Sequence, residues 1–152
     1  MQDQTSIQLT REPLNPAAAI EWVTCPQAGG INLFLGTTRA QAGPAQQSSA
    51  GELVALDYHA YEEMAVKEIA RIVGLARTRW PMEKVAVWHR LGEVKVTQAS
   101  VAIAVSSPHR GESFAACQYI IDELKKSVPI WKREIFANVD RWQAAGQDAP
   151  VV

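Results

Sequence analysis

The chain has 152 residues, 47% of them hydrophobic and 20% charged, with a formal net charge of -1. That is the size and make-up of one ordinary globular domain, and so even a balance removes any whole-molecule electrostatic case for binding nucleic acid or a membrane surface. Cys25 and Cys117 lie far apart, form no CxxC pair, and read as reduced, buried intracellular thiols rather than a disulfide.

No apolar run reaches the roughly 18 residues of a membrane span, and Met1-Gln2-Asp3-Gln4 lacks the basic-then-apolar pattern of a signal peptide. A cytoplasmic protein is expected. In chain order, Ser6–Thr10 alternates as a short strand. Asn15-Pro16 offers an N-cap and a proline at the first helical position for a helix over 17–23. Gly29-Gly30 ends it, and Ile31–Leu35 reads as a strand stopped at Gly36. Residues 40–51 are small, polar and aperiodic, which predicts a flexible loop inside one domain spanning 1–152. Leu53–Tyr61 resumes as a strand. Met64, Val66, Ile69, Ile72, Val73 and Ala76 recur at helical spacing up to Trp80-Pro81.

Val85, Val87, His89 and Leu91 alternate as a strand, with His89 expected as a satisfied core or interface histidine. Ser100–Ser106 forms another, large on one face (Val101, Ile103, Val105) and alanine-rich on the other (Ala102, Ala104), where a helix should pack closely. A helix over 111–127 and a strand over Ile130–Phe136 complete the series, and the tail over 143–152 is expected to be loose. About six strands and three helices make an α+β fold, with helices on one face of a mixed, largely antiparallel sheet.

Three segments could carry chemistry. The first is Leu124–Glu134, where a helix stops at Pro129 and a strand with Trp131 follows. Lys125 and Lys126 suit a helix C-terminus, whose unpaired carbonyls attract cations. Lys132 lies beyond the helix, so that account does not cover it. Two lysines converging from the helix end and the next strand would form a cationic pocket. Like-charge repulsion there favours a neutral amine, able to act as nucleophile or base on anionic or acyl substrates.

The second is Ser106-Ser107-Pro108-His109-Arg110, where a strand gives way to a helix N-terminus. Either this is an anion site with His109 and Arg110 beside it, or Ser107 simply caps the helix while His109 and Arg110 face solvent. The third is Gly36-Thr37-Thr38-Arg39 after a buried strand. Arg39 could fork onto a phosphate or carboxylate, though taken alone it reads more readily as a solvated loop residue. No GxxxxGK[ST] or GxGxxG occurs. His59, His89 and His109 are too scattered for a zinc site, so no metal is expected. No elbow motif frames a serine nucleophile.

Taken together in order, Gly36–Arg39, Leu56–Tyr61, Arg79–Pro81, Val87–Gly92, Val105–Arg110 and Leu124–Glu134 make the chain, from about Gly29 to Trp142, resemble the catalytic (large) subunit of molybdopterin synthase, the MoaE-type family. The resemblance implies an α/β hammerhead fold with an additional small antiparallel β subdomain. It implies a sulfurtransferase of molybdenum cofactor biosynthesis that needs no cofactor. Cyclic pyranopterin monophosphate would be converted to molybdopterin by two dithiolene sulfurs, delivered on the C-terminal thiocarboxylate of a small ubiquitin-like sulfur-carrier subunit. Two catalytic subunits would form the central dimer of a heterotetramer.

Carried over residue by residue, Lys125 matches the essential pocket lysine and Lys132 the second. Arg39, Thr37, Thr38, His109 and Arg110 match substrate-contacting positions, and Arg133 and Glu134 fall in the second-lysine segment. Where Thr37 and Thr38 stand the family varies, so their backbone is the firmer expectation. Pro108 stands in place of the more usual alanine, a change tolerated in a first helical turn. Two rival readings remain: a non-catalytic oligomeric scaffold that binds a ubiquitin-like tail, and a phosphate-ester hydrolase, which would want a metal or an activated nucleophile.

Overall fold

Eight strands and three helices are found among residues 4–40, 51–137 and 149–150, the ones described by the computed structural model. One sheet has the order β1 (Thr5–Thr10), β4 (Val85–Arg90), β6 (Ala99–Ser107), β2 (Gly30–Thr37), with β1 and β4 parallel and the other pairs antiparallel. A second sheet is wholly antiparallel, in the order β5 (Gly92–Lys95), β3 (Leu53–Ala60), β7 (Ile130–Phe136), β8 (Ala149–Pro150). The strands thus divide into a mixed sheet and a small antiparallel one. That is the arrangement the resemblance implies, where composition and periodicity alone suggested a single sheet.

The division turns on one residue. Gly92 follows β4 closely and adopts φ +83°, a left-handed backbone that side chains resist, and there the chain leaves the first sheet to start β5 in the second. β5 is four residues long with only Val94 buried, too short for alternation to reveal it. Of the tail, Ala149–Pro150 pairs with Trp131 and Lys132 of β7. Residues 143–148 and 151–152, Trp142, and residues 41–50 of the expected loop lie outside the described residues.

Helices cover both faces of the first sheet, not one. The short α1 (Pro16–Val23), capped by Asn15 Oδ1 accepting from the Ala18 N–H at 3.3 Å, sets Ala19 and Val23 against Ala86, Trp88 and Ala104. The alanine face of β6 therefore does receive a closely packed helix, but the short one. The long helices α2 (Glu62–Arg79) and α3 (Arg110–Ser127) take the other face, where Ile69, Ile72, Ile120 and Leu124 meet Val85, Val87, Ile103 and Val105. Leu56, Tyr58, Ile130 and Phe136 from the second sheet join this same core. Each such aliphatic side chain contributes about 1.5–3 kcal/mol on burial, so the two sheets are tied by apolar packing and not by pairing. Among the described residues no helix is long and apolar enough to cross a membrane.

α3 ends where the sheets meet. The Val128 N–H caps it on Leu124 O at 3.2 Å, Pro129 forbids continuation, and β7 begins at Ile130. Lys125, in the last turn, and Lys132, early in β7, are consequently held on either side of a two-residue turn.

Candidate active site: a cationic cleft at the sheet junction

A cleft of about 260 Å³ opens at this junction, with Lys125, Lys132, Arg39, Thr37 and Thr38 among its lining residues. Phe34, Leu53, Leu56, Val101 and Ile121 supply apolar wall, and Tyr58 and Ser100 supply hydroxyls. Three cations from three elements (the end of α3, β7, and the segment after β2) face one space. That is the convergence the two lysine-bearing segments predicted.

The amine with a perturbed proton equilibrium is Lys132. Burial is the largest cause and lowers its pKa; Glu134 opposes this, and the neighbouring charges of Lys125 and Arg39 lower it further. Desolvation thus leads, the Glu134 counter-charge comes next, and repulsion from Lys125 and Arg39 adds less than either. Glu134 sits two residues along β7 on the same strand face as Lys132 and acts as its counter-charge.

Thr38 is 3% exposed, and its hydroxyl is buried with no hydrogen-bond partner. An unsatisfied buried hydroxyl on a cleft wall is a group waiting for a ligand atom. The Thr38 backbone is fully engaged: its N–H donates to Gln98 O at 3.0 Å, and its carbonyl accepts from the Thr97 N–H at 2.7 Å. The side chain is therefore the part of Thr38 with no partner, where family variability had made the backbone the firmer expectation.

Behind the wall, His89 is 5% exposed and packs edge-on against Tyr58, with ring centroids 5.0 Å apart. Its Nδ1 lies 2.8 Å from Arg90 O, which can only accept, so Nδ1 carries the proton. Burial, ahead of the opposing Arg90 bond and the charge of Lys125, lowers its pKa to about 4, so the ring is neutral at ordinary pH. It is a satisfied core histidine, as expected, standing directly behind the site.

The remaining candidates lie elsewhere. His109, not Ser107, is the N-cap residue of α3: its N–H donates to Glu112 Oε1 at 3.1 Å, and its ring is 83% exposed. Ser107 ends β6 with its hydroxyl buried and unpartnered, and Pro108 precedes the helix rather than sitting in its first turn. Arg110 is exposed beside His109. Fifteen residues separate Arg110 from Lys125, about 22 Å along the helix. Arg133 points away from the cleft, because strand neighbours alternate. Its Nη2 contacts His59 Nε2 at 2.5 Å and Asp57 Oδ2 at 3.8 Å.

Tyr58 and Ser100 were absent from the sequence-derived site. Tyr58 lies within the Leu56–Tyr61 motif, but only the pairing of β3 with β7 reveals that it sits opposite Lys132. Among the described residues no group of three or more His, Cys, Asp or Glu side chains is placed to hold a metal ion.

The sequence profile of the family described as "MoaE protein" matches residues 9–127. The chain is 44% identical over 138 residues to the molybdopterin synthase catalytic subunit of Taeniopygia guttata, covering 90% of this chain and 85% of that protein. With the subunit of the same name from Pyrococcus abyssi it shares 37% identity over 150 residues, 97% of each chain. The crystal structure of molybdopterin synthase from Staphylococcus aureus superposes with a TM-score of 0.78 at 31% identity, covering 86% of this chain and 91% of that one.

Proposed function

The chain belongs to the MoaE protein family, and on that premise we propose that it is the catalytic subunit of a molybdopterin synthase. In this reading it inserts two dithiolene sulfurs into cyclic pyranopterin monophosphate, each delivered on the C-terminal thiocarboxylate of a small ubiquitin-like subunit. The observation that carries the proposal is the meeting of Lys125, Lys132 and Arg39 in one cleft. Both reactants are anions, one a cyclic phosphate and the other a thiocarboxylate, and a partly desolvated cationic cleft suits both.

Arg39 and the free Thr38 hydroxyl take the phosphate end of the substrate. Lys125 receives the acyl end of the partner's tail. As the donor sulfur attacks the pterin side chain, the Lys125 ammonium stabilises the negative charge that develops, and a neutral Lys125 would trap the acyl group as an amide. Lys132, the half-buried amine whose pKa is lowered, contacts the same anions and is eased toward the neutral form that can accept a proton. Two sulfurs require two tails in turn, so partner affinity is modest and exchange fast. His109 and Arg110 reach a cleft only if a second copy of the chain presents its own α3 start there, as in the central dimer that this reading includes.

A scaffold that merely held a ubiquitin-like tail would have no use for a third cation from the end of β2, so the convergence counts against that alternative. The test mixes the purified chain with a thiocarboxylated small subunit and the cyclic pterin and follows dithiolene formation. Product that depends on thiocarboxylate supports the enzyme. Tight binding of the tail without product would make the chain a scaffold, and metal-dependent phosphate release would make it a hydrolase.

A further inference from the structure

The segment that carries Arg39 is held by an unusual turn. Between β5 and β6, Thr97 has φ 78°, a left-handed backbone that is a real strain for a β-branched residue. Such strain, of order 1–3 kcal/mol, persists only where the surroundings enforce it. Here the strained residue uses its N–H to hold Thr38 O at 2.7 Å, while Gln98 O accepts the Thr38 N–H at 3.0 Å.

Two residues on, the pairing of β2 with β6 slips. Gly36 faces Val101 and Thr37 faces Ala99, so Ser100 is the extra residue of a β-bulge. Bulges re-aim side chains next to functional sites. This one turns the Ser100 hydroxyl onto Gly36 O, 3.4 Å away, and into a hydrogen bond with Tyr58. Gly36 has no room to adjust, since a Cβ there would meet Val101 Cγ1 at 2.7 Å.

The Ser100 hydroxyl, with its single proton, stands between two acceptors, Gly36 O and the Tyr58 oxygen, and its bond to Tyr58 favours the phenolate. Tyr58 is 7% exposed, and burial, against the smaller opposing effect of Ser100, raises its pKa, so it keeps its proton at ordinary pH. Its ring is braced by His89. On β3 it sits directly opposite Lys132 of β7. The relay Tyr58–Ser100–Gly36 therefore runs from the lysine-bearing sheet to the strand end that carries Arg39, across a junction with no strand pairing.

We propose that Tyr58 and the Thr97–Ser100 turn form a clamp that sets the separation of Arg39 from the Lys132 amine, which makes Tyr58 and Ser100 positioning residues for the cationic cleft. The inference rests on the proposed sulfurtransferase only for its kinetic consequence. Its structural claim concerns the free chain. Misplacing one cation by about an ångström is enough to cost on the order of a hundredfold in rate.

Tyr58→Phe keeps the ring packed on His89 and removes the hydroxyl; Ser100→Ala removes the middle of the relay. The groups that face Lys132 are Glu134 on β7, Lys125 on α3, Arg39 after β2 and Tyr58 on β3. If the clamp opens, the like charge of Arg39 withdraws and the site takes on water. Both changes push the Lys132 pKa up toward that of an ordinary lysine.

The experiment titrates the Lys132 side chain by NMR in the free wild-type chain, in each variant and in the double variant, alongside thermal melts and steady-state kinetics. Each single variant is expected to raise the Lys132 pKa, and the double variant to raise it no further, because both cut one relay. Activity is expected to fall roughly ten- to a hundredfold in kcat/KM, mostly through KM for the cyclic pterin. A Lys132 titration unmoved by Tyr58→Phe, whatever the melting temperature does, overturns the clamp. So do additive effects in the double variant. A wild-type chain that forms no dithiolene defeats the functional reading instead, and the NMR titration still decides for or against the clamp.

Discussion

Replacing Lys125 by alanine should separate chemistry from folding, and the sizes of the two effects can be worked out. Lys125 is exposed in the last turn of α3. Its removal therefore uncovers little apolar surface and forfeits mainly the attraction of an ammonium for a helix C-terminus, about 0.3–1 kcal/mol. Alanine's better helix propensity offsets part of that. For a chain of 152 residues the melting temperature should drop by no more than about 4 °C. The catalytic loss is larger. Deleting one preorganised charge aimed at a developing anion costs about 10²–10³ in kcat, or roughly 3–4 kcal/mol. Lys125→Arg divides the two roles open to this amine. A guanidinium keeps the charge but cannot become a neutral nucleophile. Partial recovery in Lys125→Arg assigns the residue to charge stabilisation, and no recovery assigns it to proton or acyl transfer. Single-turnover dithiolene formation with saturating thiocarboxylated partner measures the rate, and a thermal melt measures the fold. Turnover of Lys125→Ala within about tenfold of wild type would falsify its placement at the reacting bond.

Lys132→Met should abolish product yet leave stability at neutral pH equal or higher. The folded state lowers this lysine's pKa, so stability is lost as pH falls from the unfolded value of 10.5 through the folded one; urea melts at neutral pH and near pH 11 should show the variant's advantage vanish at the alkaline end. His89 is held neutral with a pKa of about 4 against 6.5 unfolded, so stability should drain away as pH falls through that window, by up to roughly 3 kcal/mol, while its imidazole signals stay unprotonated at pH 5. Glu68 is lowered to about 2, chiefly by its Arg71 hydrogen bonds and then by the Ser127 hydroxyl at 2.5 Å. Its contribution should disappear only as pH falls from 4.5 through about 2, and Ser127→Ala should move its carboxyl titration upward. Thr97→Gly relieves a left-handed backbone and should raise stability by about 1 kcal/mol in denaturant melts; a loss would show that the Thr97 side chain, not its backbone, holds the turn.

Much of the fold was legible because it is written locally. The runs Val85–Leu91 and Ser100–Ser106 read as strands from their own residues, though each is buried on both faces, and the helical spacing of Ile69, Ile72, Val73 and Ala76 marks the face of α2 that meets the core, while Met64 and Val66 of the same pattern stay exposed. What alternation cannot encode is which strands pair. Dividing the strands between two sheets depends on the φ of Gly92 and on β5, where Val94 alone is buried. Nor does an alanine face say which helix will cover it: Ala102 and Ala104 called for close packing, and the short α1 meets that demand as well as a long helix would.

The site divides along the same line. Lys125 and Lys132 were legible as a pair because only Val128 and Pro129 separate their elements, so the turn forces them together. Arg39 is joined to them through tertiary contacts, and its segment could be recognised but not located. His109 and Arg110 share the α3 region with Lys125, yet a rigid helix of 18 residues keeps its two ends apart as firmly as it fixes each one. Tyr58 and Ser100 stayed hidden for the opposite reason. A tyrosine in a buried strand and a serine at a strand's start look like ordinary packing until a bulge, a strained turn and a cross-strand lysine place both hydroxyls on one line. In this chain the cations that line the cleft are conspicuous in sequence, whereas the groups proposed to set their spacing are neutral, buried and visible only once the sheets are paired.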